Sequence, residues 1–500
     1  MWRIASLRTV VSAAALAVGL ASCSSLKVAE PANQPIAGRA ADAFAGELSG
    51  QDKGEDVVVG LAFSGGGTRA AAFAFGVLTE LDRTTVQTRK GQRSVLDRVA
   101  FVSGVSGGSI AAAYYGLKKR DALADFREKF LIRDAEEGLS TSIDPINLVK
   151  AFGGGGVNSP TTLARWLDAN LFHGATFADL RKTPGPLIWI NASDIYNRTP
   201  FIFGETAFIS LCSDLRSYPL SDAVAASAAV PIVFTPMVVK AFPRSCTDQP
   251  PDWLLRARAN PNTPPLLKSY AEGLYSYFDG TTKYVKLLDG GLVDNYGLSG
   301  FTIARLSASK PYEPLSPTQA VQMRRAIMVL VDAGLAPSGN WVQTLDGPSG
   351  TELVMAAADT AVQASVRQSF TAFQGVMADW QRQLIAWRCG LSAAERRQYG
   401  APPGWNCRDL RLFVDRVSFD QLGPARAKIL NAIDTRLKLP TEQVDELISA
   451  GRDALLVSPS FVNFLESAGG RARPDQNRPQ PAAPVAVSDD IHANAYTSVQ

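Results

Sequence analysis

Three short glycine-rich stretches carry the residue types that acyl transfer needs. Gly104-Val105-Ser106-Gly107-Gly108 places a serine between glycines two positions before it and two after it. That is the spacing of a nucleophile elbow, where a sharp strand-to-helix turn exposes the hydroxyl and glycines let the two arms approach. Alone, such a match arises readily by chance. Its setting is specific, because the apolar run Val99-Ala100-Phe101-Val102 precedes it and the Ala-rich stretch Ser109 to Lys119 follows. Upstream, Ser64-Gly65-Gly66-Gly67-Thr68-Arg69 also lies between an apolar run and a helical pattern. Consecutive glycine amides at a helix N-terminus suit a developing oxyanion, and losing one such donor costs about 3–4 kcal/mol of barrier stabilisation. Downstream, Leu287-Leu288-Asp289-Gly290-Gly291 ends an apolar run on an aspartate, at the rim of a sheet where ligand sites gather. By itself this last stretch reads equally well as an Asp-Gly turn without chemistry, as Asp279-Gly280 does.

Histidine scarcity decides how these pieces combine. The chain has only His173 and His492, and a Ser-His-Asp triad needs a histidine held within hydrogen-bond reach. His492 sits in a tail-like segment, and His173 lies near a predicted helix end with no carboxylate neighbour in sequence. Ser106 and Asp289 are therefore expected to act as a dyad, with a water-poor site raising an aspartate whose usual pKa is about 4. Gly65-x-Gly67-x-x-Ala70 also fits a dinucleotide-binding turn. That reading needs an acidic residue at the end of a second strand, whereas Asp82 to Arg93 is a polar, basic stretch expected to form a loop. No Gly-Lys-Ser/Thr follows the glycines, so a phosphate loop is disfavoured as well.

The elements that must position these residues alternate. Val57 to Phe63 is a continuous apolar run typical of a buried parallel strand. Helical patterns cover Arg69 to Leu81 and Ser109 to Lys119, and further strands fit 186–190, 201–203, 286–288 and 326–331. Strands alternating with helices predict an α/β sheet covered on both faces. Ser245 to Pro265 reads as a Pro- and Asn-rich surface loop. Thr351 to Arg388 is a long helical pattern, with Val354, Ala358, Val362 and Val366 four residues apart, and a helical pair covers Pro424 to Leu455. Phe73, Phe75, Tyr114 and Tyr115 are read as core rather than as an acyl groove.

The formal charge of +3 gives no support to nucleic-acid binding, which usually shows a basic face. Arg3 and Arg8 precede an apolar run from Val10 to Leu20, too short to span a bilayer and read as an export signal. The run ends at Leu20-Ala21-Ser22-Cys23-Ser24, which resembles the lipobox of bacterial lipoproteins. That resemblance implies a lipidated Cys23 and, with Ser24 following, an envelope location at the outer membrane. Cys212, Cys246, Cys389 and Cys407 remain. They permit two disulfides, the sequence-near pairing being the simplest of three, or four reduced thiols. None shows metal-ligand spacing, and no cofactor or metal is expected.

Taken in order, Gly65-Gly66-Gly67-Thr68-Arg69, Gly104-Val105-Ser106-Gly107-Gly108 and Asp289-Gly290-Gly291 resemble the three motifs of the patatin-like phospholipases. Asn191-Ala192-Ser193-Asp194 and Ala226-Ser227-Ala228-Ala229-Val230-Pro231 are similar too. The resemblance implies a three-layer α/β/α fold with a C-terminal helical extension. It implies a lipid acyl hydrolase in which Ser106 attacks and Asp289 takes its proton. The Gly65, Gly66 and Gly67 turn with Arg69 would serve the oxyanion, and Gly104 and Gly108 the elbow. The expected organisation is a signal segment at 1–22, Cys23 and a tether to 55, a hydrolase domain at 56–335, a helical extension at 345–468 and a tail at 469–500. The expected partners are a lipid substrate and a membrane reached through the N-terminal anchor, with oligomeric state open. A catalytically silent lipid- or partner-binding lipoprotein is the alternative that the intact motifs count against.

Overall fold

The computed structural model describes residues 30–36, 38, 55–140, 155–334, 340–348 and 350–472. The signal segment, Cys23, His492 and all of the tail beyond 472 lie outside the described residues.

The chain builds an eight-stranded mixed sheet. Its first strand, β1 (Val57–Phe63), is buried along almost its whole length. It leads through three glycines into α1 (Gly67–Arg83). The polar stretch expected as a loop instead forms a small antiparallel hairpin, β2 (Thr85–Thr88) and β3 (Gly91–Ser94). In β2 the buried Val86 and Thr88 flank the exposed Gln87, which suits a ribbon with one face on the protein. β4 (Val99–Val105) runs parallel to β1 and turns into α2 (Gly107–Lys118). β5 (Leu187–Asp194) runs parallel to β4 and folds back as β6 (Thr199–Phe203).

α3 (Leu220–Ser227) is followed by the short strand β7 (Met237–Lys240). The Ser245 to Pro265 stretch is not all loop, because a helix spans Asp252–Ala259. β8 (Tyr284–Asp289) then enters antiparallel to both β7 and β5. The one-turn helix α4 (Gly291–Asp294) follows. β9 (Arg325–Asp332) pairs with β1 in parallel.

The C-terminal region is helical in the main, with α5 (Gly350–Gly390), α6 (Pro424–Asn431), α7 (Thr441–Val457) and α8 (Pro459–Ser467). It also contributes β10 (Arg411–Ser418), which pairs with β9 along the whole strand and completes the sheet order β10-β9-β1-β4-β5-β8-β7, with β6 paired to β5. Helices cover both faces of the sheet, giving the three layers. On one face Phe73 and Val77 of α1 join Leu447 and Leu455 of α7 in a single buried cluster with β1. On the other, Phe373, Trp380 and Leu384 of α5 pack on Met328 and Leu330. Phe73, Phe75, Tyr114 and Tyr115 are all buried.

Both sequence-near cysteine pairs are disulfides, Cys212–Cys246 and Cys389–Cys407. Part of the expected tether is docked rather than free. Asn33 is buried, donating to Ser213 Oγ at 2.9 Å and to the Lys240 carbonyl at 2.7 Å, and accepting from the Lys240 amide at 2.9 Å. Among the described residues no helix is long and apolar enough to cross a membrane.

Candidate active site

The sheet itself brings Ser106 and Asp289 together. β5 carries β6 on one edge, so β4 and β8 must share the other. Val105 pairs with Asn191, and Asp289 pairs with Ala192, one residue further along β5. β4 and β8 therefore meet end to end, with Ser106 just past one end and Asp289 at the other.

Ser106 occupies the turn with φ 52° and ψ −123°, a conformation that L-residues avoid and that surrounding structure must enforce. Space explains the glycines around it. A Cβ on Gly104 would lie 2.7 Å from the Gly108 carbonyl oxygen, and one on Gly108 would lie 2.5 Å from that of Phe63. The Ser106 amide donates to Ser227 Oγ at 2.9 Å, and Ser227 Oγ donates to the Asn191 carbonyl at 2.5 Å. Ser109 Oγ meets the same hydroxyl at 2.6 Å. The turn is thus tied to both β5 and α3.

Asp289 is pinned by its backbone. Its amide donates to the Ala229 carbonyl at 2.8 Å, and its carbonyl accepts from Ser193 Oγ at 2.8 Å. The Gly290 amide donates to the Ser227 carbonyl at 3.1 Å. The stretches around Asn191, Ser227 and Asp289 are therefore one hydrogen-bonded frame. The Asp289 carboxylate accepts from the Gly291 amide at 2.8 Å, and the Ser106 side chain lies close enough to favour its ionised form. Burial pushes its pKa up to about 6, although the Gly291 amide and Ser106 pull the other way. Only 7% of Ser106 and 8% of Asp289 is open to solvent.

The glycine turn sits directly on the elbow, since a Cβ on Gly107 would lie 1.9 Å from the Gly67 carbonyl oxygen. Gly66 and Gly67 have φ of 141° and 59°, which glycine alone adopts cheaply. The members of this turn divide by role. The Gly65 amide is already used, donating to the Asn295 carbonyl at 3.2 Å, whereas those of Gly66 and Gly67 meet no acceptor among the described residues. This narrows the expected oxyanion donors to Gly66 and Gly67. Arg69 is not a donor to the site. Its guanidinium is buried, bonded through Nη1 to the Ile433 carbonyl at 2.8 Å, with Nη2 3.3 Å from the Cβ position of Gly66. Burial lowers its pKa to about 10, opposed by the charge of Asp332. It braces the turn from behind.

A second brace came without a sequence signal. The Thr68 amide donates to the Arg436 carbonyl at 2.8 Å, so the loop between α6 and α7 closes over the turn. That loop is held by Arg436 against Glu136 and by the Leu437 amide on Glu136 Oε1 at 2.8 Å. Asn295, within the stretch following Asp289, presents Oδ1 2.4 Å from the Cβ position of Gly65 and 2.7 Å from that of Gly291. His173 is exposed, at φ 49°, and takes no part in these contacts. No cluster of three or more His, Cys, Asp and Glu residues suited to a metal ion occurs among the described residues.

Residues 61–302 match the family model described as patatin-like phospholipase. No curated protein matches the sequence. Among solved structures, human GIVD cytosolic phospholipase A2 is 14% identical over 82% of this chain and 62% of its own, with a TM-score of 0.38. The same enzyme in complex with methyl gamma-linolenyl fluorophosphonate is 15% identical over 86% and 62%, with a TM-score of 0.36. VipD from Legionella pneumophila is 12% identical over 83% and 67%, with a TM-score of 0.31. The chain thus spans 62% of the human enzyme's length.

Proposed function

We propose that this chain, which belongs to the patatin-like phospholipase family through residues 61–302, is a lipid acyl hydrolase working through a Ser106–Asp289 dyad. The observation that carries the reading is the strand register that brings Ser106 beside the buried Asp289 carboxylate, at the meeting ends of β4 and β8. Ser106 Oγ attacks the ester carbonyl while Asp289 accepts the hydroxyl proton. The carbonyl oxygen becomes an oxyanion facing the amides of Gly66 and Gly67. Collapse releases the alcohol, which takes the proton from Asp289, and leaves the acyl group on Ser106. Water then attacks the acyl-enzyme, Asp289 takes its proton, and the fatty acid departs as the proton returns to Ser106 Oγ. A carboxyl at about 6 is ionised near neutrality yet more basic than an ordinary aspartate, as a general base requires.

A fluorophosphonate probe tests the dyad. Wild type is expected to label and Ser106→Ala is not. Equal labelling of both, or none of either with normal folding, would remove Ser106 as nucleophile. Comparing lipid products of wild type and Ser106→Ala then identifies the ester class cleaved.

The same reading puts the protein in the bacterial cell envelope, anchored by lipid on Cys23 after removal of residues 1–22. Two disulfides fit an oxidising compartment. Palmitate labelling that survives Cys23→Ser would refute the anchor.

A further inference from the structure

Two parts of the molecule rise beyond the level of Ser106 on the sheet edge where it lies. Tyr284 stands five residues up β8 from Asp289, roughly 16 Å above the dyad at about 3.3 Å per residue. Tyr196 lies in the turn that follows β5, beyond Asp194 at the strand's end. The second projection is the start of α5. Ser365 of that helix donates to the Val293 carbonyl of α4, beside the dyad, while Arg388 near its other end bonds the Met323 carbonyl below β9. Leu353 is twelve residues before Ser365, or about 18 Å further out at about 1.5 Å per residue.

Exposed apolar side chains concentrate there. Ile195 (39%), Tyr196 (71%) and Tyr284 (50%) crown the first projection. Leu353 (57%) stands on the second, and Val342 (63%) and Leu345 are exposed on the stretch that precedes it in the chain. Scattered single apolar residues on a surface need no explanation, but clusters that share one edge do. The first projection is also cationic. Arg198, Lys240 and Lys283 are exposed, and Lys286 lies 5.7 Å from the Tyr284 ring centroid. Across 194–199, 237–242 and 281–288 the sole carboxylate is Asp194. It is buried, accepting from Tyr277 Oη at 2.6 Å and Asn197 Nδ2 at 2.6 Å.

The N-terminal segment leads to the same place. Asn33 is bonded to the backbone of Lys240, which pairs with Tyr284 across β7 and β8. Cys23 is ten residues before Asn33, so a lipid on it sits within roughly 36 Å of that bond.

We propose that these two projections form a docking rim by which the protein seats its active-site edge on an anionic lipid surface. The inference rests on the lipid hydrolase reading for its purpose, but not for its test. Tyrosine and aliphatic side chains enter the interfacial layer while the lysines and arginine meet anionic headgroups. The rim would then orient a protein that its N-terminal lipid only tethers.

The test uses the full chain carrying Cys23→Ser, so that no acyl anchor contributes, and Ser106→Ala, so that binding is read without turnover. Sedimentation is expected with phosphatidylcholine vesicles containing phosphatidylglycerol, much less with phosphatidylcholine alone, and less again at high salt. Tyr196→Ser with Tyr284→Ser is expected to weaken vesicle binding by roughly tenfold or more. Lys240→Glu with Lys283→Glu is expected to abolish the preference for phosphatidylglycerol. In the chain with Ser106 intact, both pairs leave hydrolysis of a soluble short-chain ester unchanged. Equal sedimentation of parent and tyrosine variant overturns the rim, as does binding indifferent to phosphatidylglycerol. Concentration-dependent dimerisation lost in the same variants, without vesicle binding, assigns the face to a second copy and overturns it too. Failure of ester hydrolysis in every form containing Ser106 would count against the hydrolase reading and leave the sedimentation result standing.

Discussion

An ordinary aspartate holds its proton too weakly to help a serine hydroxyl much, so the environment of Asp289 matters more than its identity. Burial moves it from 3.8 to about 6. In the proposed mechanism only the ionised form accepts the Ser106 proton, so turnover of a soluble ester is expected to rise with pH through a midpoint near 6 and level off above it. A flat profile across that range would exclude Asp289 as the base. The same shift lowers stability. The folded chain holds this proton more tightly than the unfolded one, so stability falls as pH rises from about 4 to about 6, by roughly 3 kcal/mol at most, and stays lowered above. Asp289→Asn is therefore expected to lose activity while melting higher than wild type at pH 7.5. A lower melting temperature would refute the burial argument. Ser106, Gly66, Gly67 and Asp289 were legible because each needs a local glycine pattern. The carbonyls of Ile433 and Arg436 were not, since every residue type carries a carbonyl and only the fold brings these two to the turn.

Among the elements, α1 and α7 approach each other through glycines. A Cβ on Gly76 would lie 2.1 Å from the Ile448 carbonyl oxygen, and one on Gly451 would lie 2.2 Å from that of Phe73. α1 begins at the Gly65–Gly67 turn, and the loop entering α7 supplies the two carbonyls that brace it. Gly451→Val must push α7 outward, costing about 1–3 kcal/mol as overpacking does. It is also expected to lower kcat under conditions where the variant is fully folded, as read by urea denaturation beside ester turnover. Lost stability with unchanged kcat would show that the turn keeps its geometry without α7. The strands legible in the sequence were those with apolar runs, such as β1 and β9. β10 was missed because Arg411, Asp415 and Arg416 interrupt it. Two of these charges are held by the rest of the fold, Asp415 by Ser458 Oγ at 2.5 Å and Arg416 by Asp332 at 2.7 Å. β7, only four residues long, offers too little pattern to read.

For the whole molecule, the boundary suggested by sequence near residue 335 does not coincide with a gap in packing. The match to the family model stops at 302, yet β9 and β10 continue the sheet beyond it. Phe419 stacks edge-on against Phe73 with centroids 4.8 Å apart, and α7 and α8 share one buried cluster with α1 and β1. The helical pattern after 350 showed that an extension exists, but periodicity cannot say which surface a helix covers. Without residues beyond 335, β9 would become an open edge strand and α1 would lose the cover of Val444, Leu447, Ala450 and Ala454. An exposed edge beside an uncovered apolar helix is an aggregation site. A chain ending at 335 is therefore expected to be insoluble or to unfold without a cooperative transition, whereas one ending at 472 keeps both a sharp urea transition and ester turnover. Cooperative unfolding together with turnover in the shorter chain would show that residues 56–335 stand alone. The Gly65–Gly67 turn would then hold without the Ile433 and Arg436 carbonyls.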